Sequence, residues 1–343
     1  MDFSLTEHQQ LLRDSAARLL QQECPTSLVR AHQRDPSVAE RLWPHLASWT
    51  GVAGGSVIDL CLFLEETGAV AAPGPFFATT ALFAPVLQAI DHPLLAQVLE
   101  GTATGTVALA GAPAVWQAND DPLKTWVPEA SRVDWIAIVQ QTNAGPEVVV
   151  GPRPADGVTT LPTVDGSREF DTVLASSVSG TAVPIDPDAL EQMIQRATVG
   201  LAAEMLGTVR WLFEMTLGYA KVREQFGRPI GSFQAIQHKL ANMALAKERA
   251  WSAVYYAAMM LDADGVSADE RRRAVHVAKA AAGAASRLNL KDGIQIHGGI
   301  GYTWEHDLHL FMRRALVSEQ ILGTVGWHHD RLGELLVAGT SVA

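Results

Sequence analysis

Apolar positions recur at helical spacing over residues 6–23, where Leu12, Ala16, Leu19 and Leu20 share a face with Leu11 alongside, and Thr6 followed by Glu7 supplies a helix start. Gly and Pro punctuation separates further predicted helices over 40–48, 57–68 and 76–100. The pattern then shifts to short β-prone runs, Val107-Ala-Leu109, Trp135-Ile-Ala-Ile-Val139, Val148-Val-Val150 and Thr172-Val-Leu174, divided by Gly, Pro, Asp and Asn. They predict a small β-domain over about 105–183. Past Pro184 and Pro187 the helical period returns over 191–222, 232–263 and 267–291, the last opened by a capping box of Ser267 and Glu270. The alanines between Ala274 and Ala285 suit a helix packed closely on its neighbours in a bundle. The expected organisation is an N-terminal helical domain at 1–104, a middle β-domain at 105–184 and a C-terminal four-helix bundle at 185–343.

With 343 residues, 48% of them hydrophobic and 18% charged, the chain has ample material for a large core. A formal charge of -11 leaves no broad basic face, which argues against nucleic-acid binding but leaves room for a local pocket for an anionic ligand. Cys24 and Cys61 have neither metal-ligand spacing nor the look of a disulfide framework. The opening Met1-Asp-Phe-Ser-Leu-Thr6 lacks the basic and apolar stretches of an export signal, so a cytoplasmic protein is expected. The uncharged stretch Ala69 to Ile90 contains Pro73, Gly74, Pro75 and Pro85, which suit a buried, proline-broken helical hairpin rather than a membrane span.

Two segments carry candidate chemistry. Arg223, Gln225, Arg228 and Gln234 concentrate polar groups where two predicted helices meet around Gly227-Arg-Pro-Ile-Gly231. An arginine there can make forked, charge-assisted hydrogen bonds to a pyrophosphate, and Phe226 can cover an aromatic cofactor, although arginines near helix ends also serve ordinary salt bridges. Further on, Gly298, Gly299 and Gly301 permit close backbone approach, either in a simple tight turn or at a cofactor or partner contact. Their spacing is not a dinucleotide fingerprint, and no phosphate-loop lysine accompanies them. His297, His306, His328 and His329 do not form a recognisable zinc set, and no serine sits in a nucleophile elbow.

Together Arg223-Glu-Gln-Phe-Gly-Arg-Pro-Ile230 with Phe233-Gln234, and Gln295-Ile-His-Gly-Gly-Ile-Gly-Tyr302 running on through Arg313-Arg314 to Leu322-Gly323-Thr324, resemble the flavin-contacting signatures of the acyl-CoA dehydrogenase family. Glu65-Glu66-Thr-Gly-Ala69 and Ala72-Pro-Gly-Pro75 also resemble that family's N-terminal helical domain. The resemblance implies an acyl-CoA dehydrogenase-like fold and α,β-desaturation of an acyl-CoA with FAD. It implies that Arg223 and Phe226, with Gln234 nearby, approach the adenine-pyrophosphate side of FAD across a subunit interface, that Gln295, Gly298 and Gly299 add contacts, and that Thr324 matches a cofactor-contacting threonine.

Two features depart from the family pattern. The glutamate that removes the α-proton is expected just before Gly323-Thr324, where Leu322 stands and cannot accept a proton; the alternative family position falls near Leu190. Glu191, one residue from that position, and Glu319, about one turn before Leu322, are the substitute bases to test. In addition, the flavin-lining middle-domain segment is replaced by Ala110-Gly-Ala-Pro-Ala-Val-Trp-Gln-Ala-Asn-Asp-Asp121. Both departures suit short subunits of bacterial heteromeric, steroid side-chain-type acyl-CoA dehydrogenases, in which a complementary subunit, in an α2β2 assembly, supplies the base and flavin pocket. An electron-transfer flavoprotein is the expected acceptor. The alternatives are a homomeric dehydrogenase using Glu191 and a non-catalytic binding or scaffold subunit.

Overall fold

The computed structural model describes residues 4–110 and 117–340. The N-terminal helices are α1 (Glu7–Glu23), α2 (Thr26–His32), α3 (Trp43–Ala47), α4 (Val57–Ala69), α5 (Ala84–Ala89) and α6 (Leu95–Leu99). The helix expected over 76–100 is broken: Ala78–Phe83 winds as a π-helix into α5, and Asp91 takes a left-handed φ of 49° just before Pro93, which cannot continue the helical ladder. Among the described residues no helix is long and apolar enough to cross a membrane.

The strands follow as β1 (Gly105–Ala108), β2 (Leu123–Pro128), β3 (Trp135–Thr142), β4 (Gly145–Pro152), β5 (Val158–Thr160), β6 (Phe170–Leu174) and β7 (Ala182–Pro184). One sheet has the order β1-β3-β4-β7, with β1 parallel to β3 and the remaining pairs antiparallel; the other is antiparallel in the order β2-β6-β5. Alternating apolar residues of both sheets, among them Ala108, Val127, Ile136, Ile138 and Val173, form one buried cluster. The chain closes with α7 (Pro187–Val222), a hairpin of β8 (Glu224–Gln225) and β9 (Arg228–Pro229), then α8 (Gln234–Asp262), α9 (Ala268–His297), α10 (Leu308–Gln320) and α11 (Val325–Thr340). The Ser267–Glu270 capping box opens α9 as expected.

Two contact-dense units emerge, and neither is continuous in sequence: one gathers Met1–Gln21, Cys61–Ala72 and Leu201–Ala343, the other Gln22–Leu60 and Pro73–Gly200. In the first unit α4 and α7 meet backbone to backbone, because Gly68 and Gly207 carry no side chain; a Cβ on either would lie 1.8 Å from the other helix's carbonyl oxygen, that of Glu204 or Glu65. Beside that crossing Arg210 bridges Glu65 at 2.8 Å and Glu66 at 2.6 Å, and the Tyr255 hydroxyl donates to Glu65 at 2.8 Å. A second buried pair joins Arg314 to Glu204 at 3.1 Å.

In the second unit Glu129 is buried at the turn after β2, accepts from the Glu169 backbone N–H at 3.0 Å and lies 4.0 Å from Arg132. Burial pushes its carboxyl up to about 7, with neighbouring Glu169 adding to the effect and Arg132 and Arg168 opposing it. Between pH of about 4.5 and 7 the folded chain therefore holds a proton that the unfolded chain has released, so stability falls as pH rises through that window. The contribution lost is on the order of 3 kcal/mol. Glu129→Gln, which keeps the acceptor for Glu169, is expected to flatten that limb when unfolding midpoints are recorded from pH 4.5 to 8; an unchanged slope would remove Glu129 as its source.

Candidate functional site

At the end of α7 the Arg223 backbone N–H donates to Tyr219 at 2.9 Å, and the Ile230 N–H donates to the Arg223 carbonyl at 2.7 Å, closing the β8–β9 hairpin. The two-residue connection uses Phe226 at φ 55° and Gly227 at φ 77°, the doubly left-handed geometry of a tight hairpin turn. Gly227 adopts it freely, whereas a phenylalanine there is strained, and its ring is 93% exposed. The hairpin thus projects an aromatic face to solvent. Behind it Arg228 stacks on Phe233 at 4.2 Å, and Phe226 meets Phe233 edge-on at 6.1 Å. Arg223 is exposed, and among the described residues none accepts a hydrogen bond from its guanidinium. Gln234, also exposed, is the first residue of α8, so the helix's positive end faces the same neighbourhood.

The second segment forms the far end of α9. Gln295 is exposed, Gly298 ends the helix at φ 62°, and a Cβ at Gly298 or Gly299 would meet nothing within 4 Å. Gly301, by contrast, is close-packed, with His297 and Leu308 atoms 3.2 and 3.3 Å from where its Cβ would stand. The His297 ring stacks on Tyr219 at 4.4 Å and 21°, and one apolar cluster holds Tyr219, Ile230 and Ile236 against Leu240 and Ile296. The structure therefore brings Arg223, Phe226, Gln234, Gln295, Gly298 and Gly299 onto adjoining elements. Together they offer a guanidinium and helix N-terminus for an anion, an aromatic face for a planar ring, and open glycine backbone for close approach.

Thr324 lies elsewhere on the same unit. Lys279, whose amine donates to the carbonyls of Glu319 at 3.1 Å and Gly323 at 2.9 Å, is 18 residues before His297 on α9, or roughly 27 Å along the helix. The turn it holds is unusual, with Leu322 at φ 55° and Gly323 at φ 94°. At Gly323 a Cβ would sit 2.5 Å from the Trp327 ring, so only glycine fits. The Thr324 hydroxyl accepts from the Trp327 N–H at 3.2 Å, capping α11. His328 donates Nε2–H to the Leu322 carbonyl at 2.9 Å, which leaves its Nδ1 to accept from His276 Nδ1–H at 2.8 Å. Burial, Lys279 and His276 push His328 down to about 3, so it is neutral; burial also drives Lys279 down to about 7 against the pull of Glu319.

Glu319 is an integral part of this turn. Its buried carboxylate accepts from the Arg287 guanidinium at 2.5 Å, from the Val325 N–H at 3.0 Å and from the Gln320 amide. Its oxygens are thus committed to Arg287 and to the start of α11. Leu322 is buried. Glu191 lies in the other contact-dense unit, near the start of α7, half-buried and accepting from the Gln195 amide at 2.9 Å. Of the stretch Ala110 to Asp121 singled out in the sequence, residues 111–116 lie outside the described residues. Among the described residues no cluster of three or more His, Cys, Asp or Glu is placed to hold a metal ion, and Cys24 and Cys61 are buried and not joined in a disulfide. Lys279 and Tyr219 carry no local signal in the sequence, one being a lysine in an alanine-rich helix and the other a tyrosine near a helix end, and His328 is conspicuous there only as a histidine outside any zinc set.

A model of the acyl-CoA dehydrogenase C-terminal domain matches residues 188–336. Acyl-CoA dehydrogenase IpdE2 of Mycobacterium tuberculosis (strain ATCC 25618 / H37Rv) is 30% identical over 92% of this chain and 93% of its own length. Acyl-CoA dehydrogenase FadE34 of the same strain is 35% identical over 84% of this chain, which spans only 40% of that longer protein. Among solved structures, the ChsE4-ChsE5 complex from Mycobacterium tuberculosis superposes with a TM-score of 0.86 at 23% identity, covering 98% of this chain and 99% of the matched chain. A variant of the Tcur3481-Tcur3483 steroid ACAD gives 0.86 at 26%, with the same coverage. The chain belongs to the acyl-CoA dehydrogenase family and has its fold.

Proposed function

We propose that this chain is the short subunit of a heteromeric FAD-dependent acyl-CoA dehydrogenase that introduces an α,β double bond into an acyl-CoA, with a complementary subunit supplying the base. The observation that carries this reading is the Leu322 turn: a buried hydrocarbon stands where the family resemblance expects the base, and the nearby carboxylate, Glu319, is committed to Arg287 and the Val325 N–H. The Arg223 hairpin and the Gly298–Gly299 segment, by contrast, keep a guanidinium, an aromatic ring and bare backbone facing outward. That donor set fits the adenosine diphosphate half of FAD held mainly by a partner. FAD, when bound, takes up the substrate hydride; this chain's residues bind and orient its far end. The ChsE4-ChsE5 complex and a steroid ACAD among the fold neighbours support an assembly with a second subunit and a steroid-type substrate; on this reading the assembly is an α2β2 enzyme acting on a steroid side-chain CoA thioester in the cytoplasm, with an electron-transfer flavoprotein as acceptor.

The homomeric alternative has one observation in its favour, since Gln195 orients the half-buried Glu191 carboxylate. Glu191→Gln separates the two readings by preserving shape while removing the base. In the assembled complex, anaerobic reduction of FAD by an acyl-CoA is expected to stay within about twofold of the parent rate. A loss of about 100-fold or more, the scale of a missing general base, would establish the homomeric reading instead.

A further inference from the structure

We infer that His297 is a positioning residue of the cofactor-facing surface, its imidazole stacked on Tyr219 so as to fix the Gly298–Gly299 segment relative to the Arg223 hairpin. The inference rests on the reading of that surface as a FAD half-site. Tyr219 and His297 stand at the ends of the two elements concerned. The Tyr219 carbonyl receives the N–H of Arg223, four residues on and just ahead of the hairpin, at 2.9 Å, and the ring of the same residue lies flat on His297 at 4.4 Å. His297 immediately precedes the left-handed Gly298, and its Cβ backs Gly301 at 3.2 Å from where a Cβ would stand, so this one residue touches the glycine run at both ends. A shift of the ring changes the spacing between the arginine and the glycine backbone.

The surroundings of the imidazole favour its neutral form. Nδ1–H donates to the Gly293 carbonyl at 2.8 Å, while Nε2 is buried with no hydrogen-bond partner among the described residues. The titratable groups packed against the ring are Tyr219 from α7 and His306 from the segment before α10, the latter edge-on at 4.9 Å. Neither is a carboxylate that would welcome a second proton. Burial foremost, with His306 adding to it, lowers the His297 pKa, against the backbone hydrogen bond to Gly293. Protonation would place an N–H where nothing accepts it, so acid loosens the stack and with it the spacing of the two segments.

The test is the dissociation constant of FAD for the assembled complex, followed by flavin fluorescence from pH 5 to 8.5. His297→Ala, which removes the stack, is expected to weaken binding about tenfold at pH 8. The parent complex is expected to lose affinity as the pH falls towards 5, whereas His297→Phe, which keeps a ring on Tyr219 but has no nitrogen to protonate, gives a flat profile. A purely structural role would not alter the shape of that profile. Unchanged affinity in His297→Ala, or the parent acid limb persisting in His297→Phe, overturns the inference. Arg223→Ala run in parallel separates the levels: if it weakens FAD while the His297 variants do not, His297 alone falls; if Arg223→Ala is also silent, the half-site reading falls and takes this inference with it.

Discussion

Arg314→Met is expected to lower the stability of the chain by about 3–5 kcal/mol, the usual cost of removing one partner of a buried ion pair. The guanidinium is almost wholly buried, pairs with the equally buried Glu204 at 3.1 Å and donates to the Ala72 carbonyl. Methionine fills most of the same volume, so the loss is electrostatic and not one of packing. It leaves the Glu204 carboxylate inside the helices without its cation, and the Ala72 carbonyl loses a donor. The double variant Glu204→Met with Arg314→Met removes both charges and is expected to recover most of the loss, since burying the pair was itself costly. Urea titrations of the full chain measure both. A double variant no better than the single one would show that the ion pair is not what Arg314 contributes.

Arg223→Ala in the assembled complex is expected to raise the dissociation constant of FAD by about 30- to 100-fold, corresponding to the loss of about 2–3 kcal/mol of charge-assisted hydrogen bonding. The hairpin should survive the change. Its closure depends on the Arg223 backbone groups and on the turn at Phe226-Gly227, none of which alanine removes. Unfolding midpoints are therefore expected to move little while cofactor affinity collapses. Arg223→Lys should recover only part of the affinity, because an ammonium cannot make the planar, forked contact with a pyrophosphate. Equal recovery by lysine would mean that Arg223 acts only as a point charge.

Much of this architecture is legible in the sequence because its cues are local. The Ser267–Glu270 cap, the apolar period of α1, α7, α8 and α9, and the β-prone runs of β1, β3, β4 and β6 need only neighbours a few residues away to declare themselves. The mixed strand β2 and the short β5 and β7 do not, since their pairing is set by partners well beyond their own neighbourhood in the chain. The long helix expected at 76–100 fails for the opposite reason: its composition is helical, but Asp91 and Pro93 break it. At the site, Arg223, Phe226 and the glycines are conspicuous as residue types. The role of Glu319 is not, because spacing cannot reveal Arg287 or the start of α11 waiting for its carboxylate. Lys279 and His328 are hidden likewise until the Leu322 turn is seen folded against α9.

Native mass spectrometry of the complex isolated from its host, with the bound flavins counted, tests the proposed half-site most directly. The expected result is an α2β2 assembly of this chain with a complementary acyl-CoA dehydrogenase subunit, carrying fewer FAD molecules than chains. A homo-oligomer of this chain carrying one FAD per chain would contradict it.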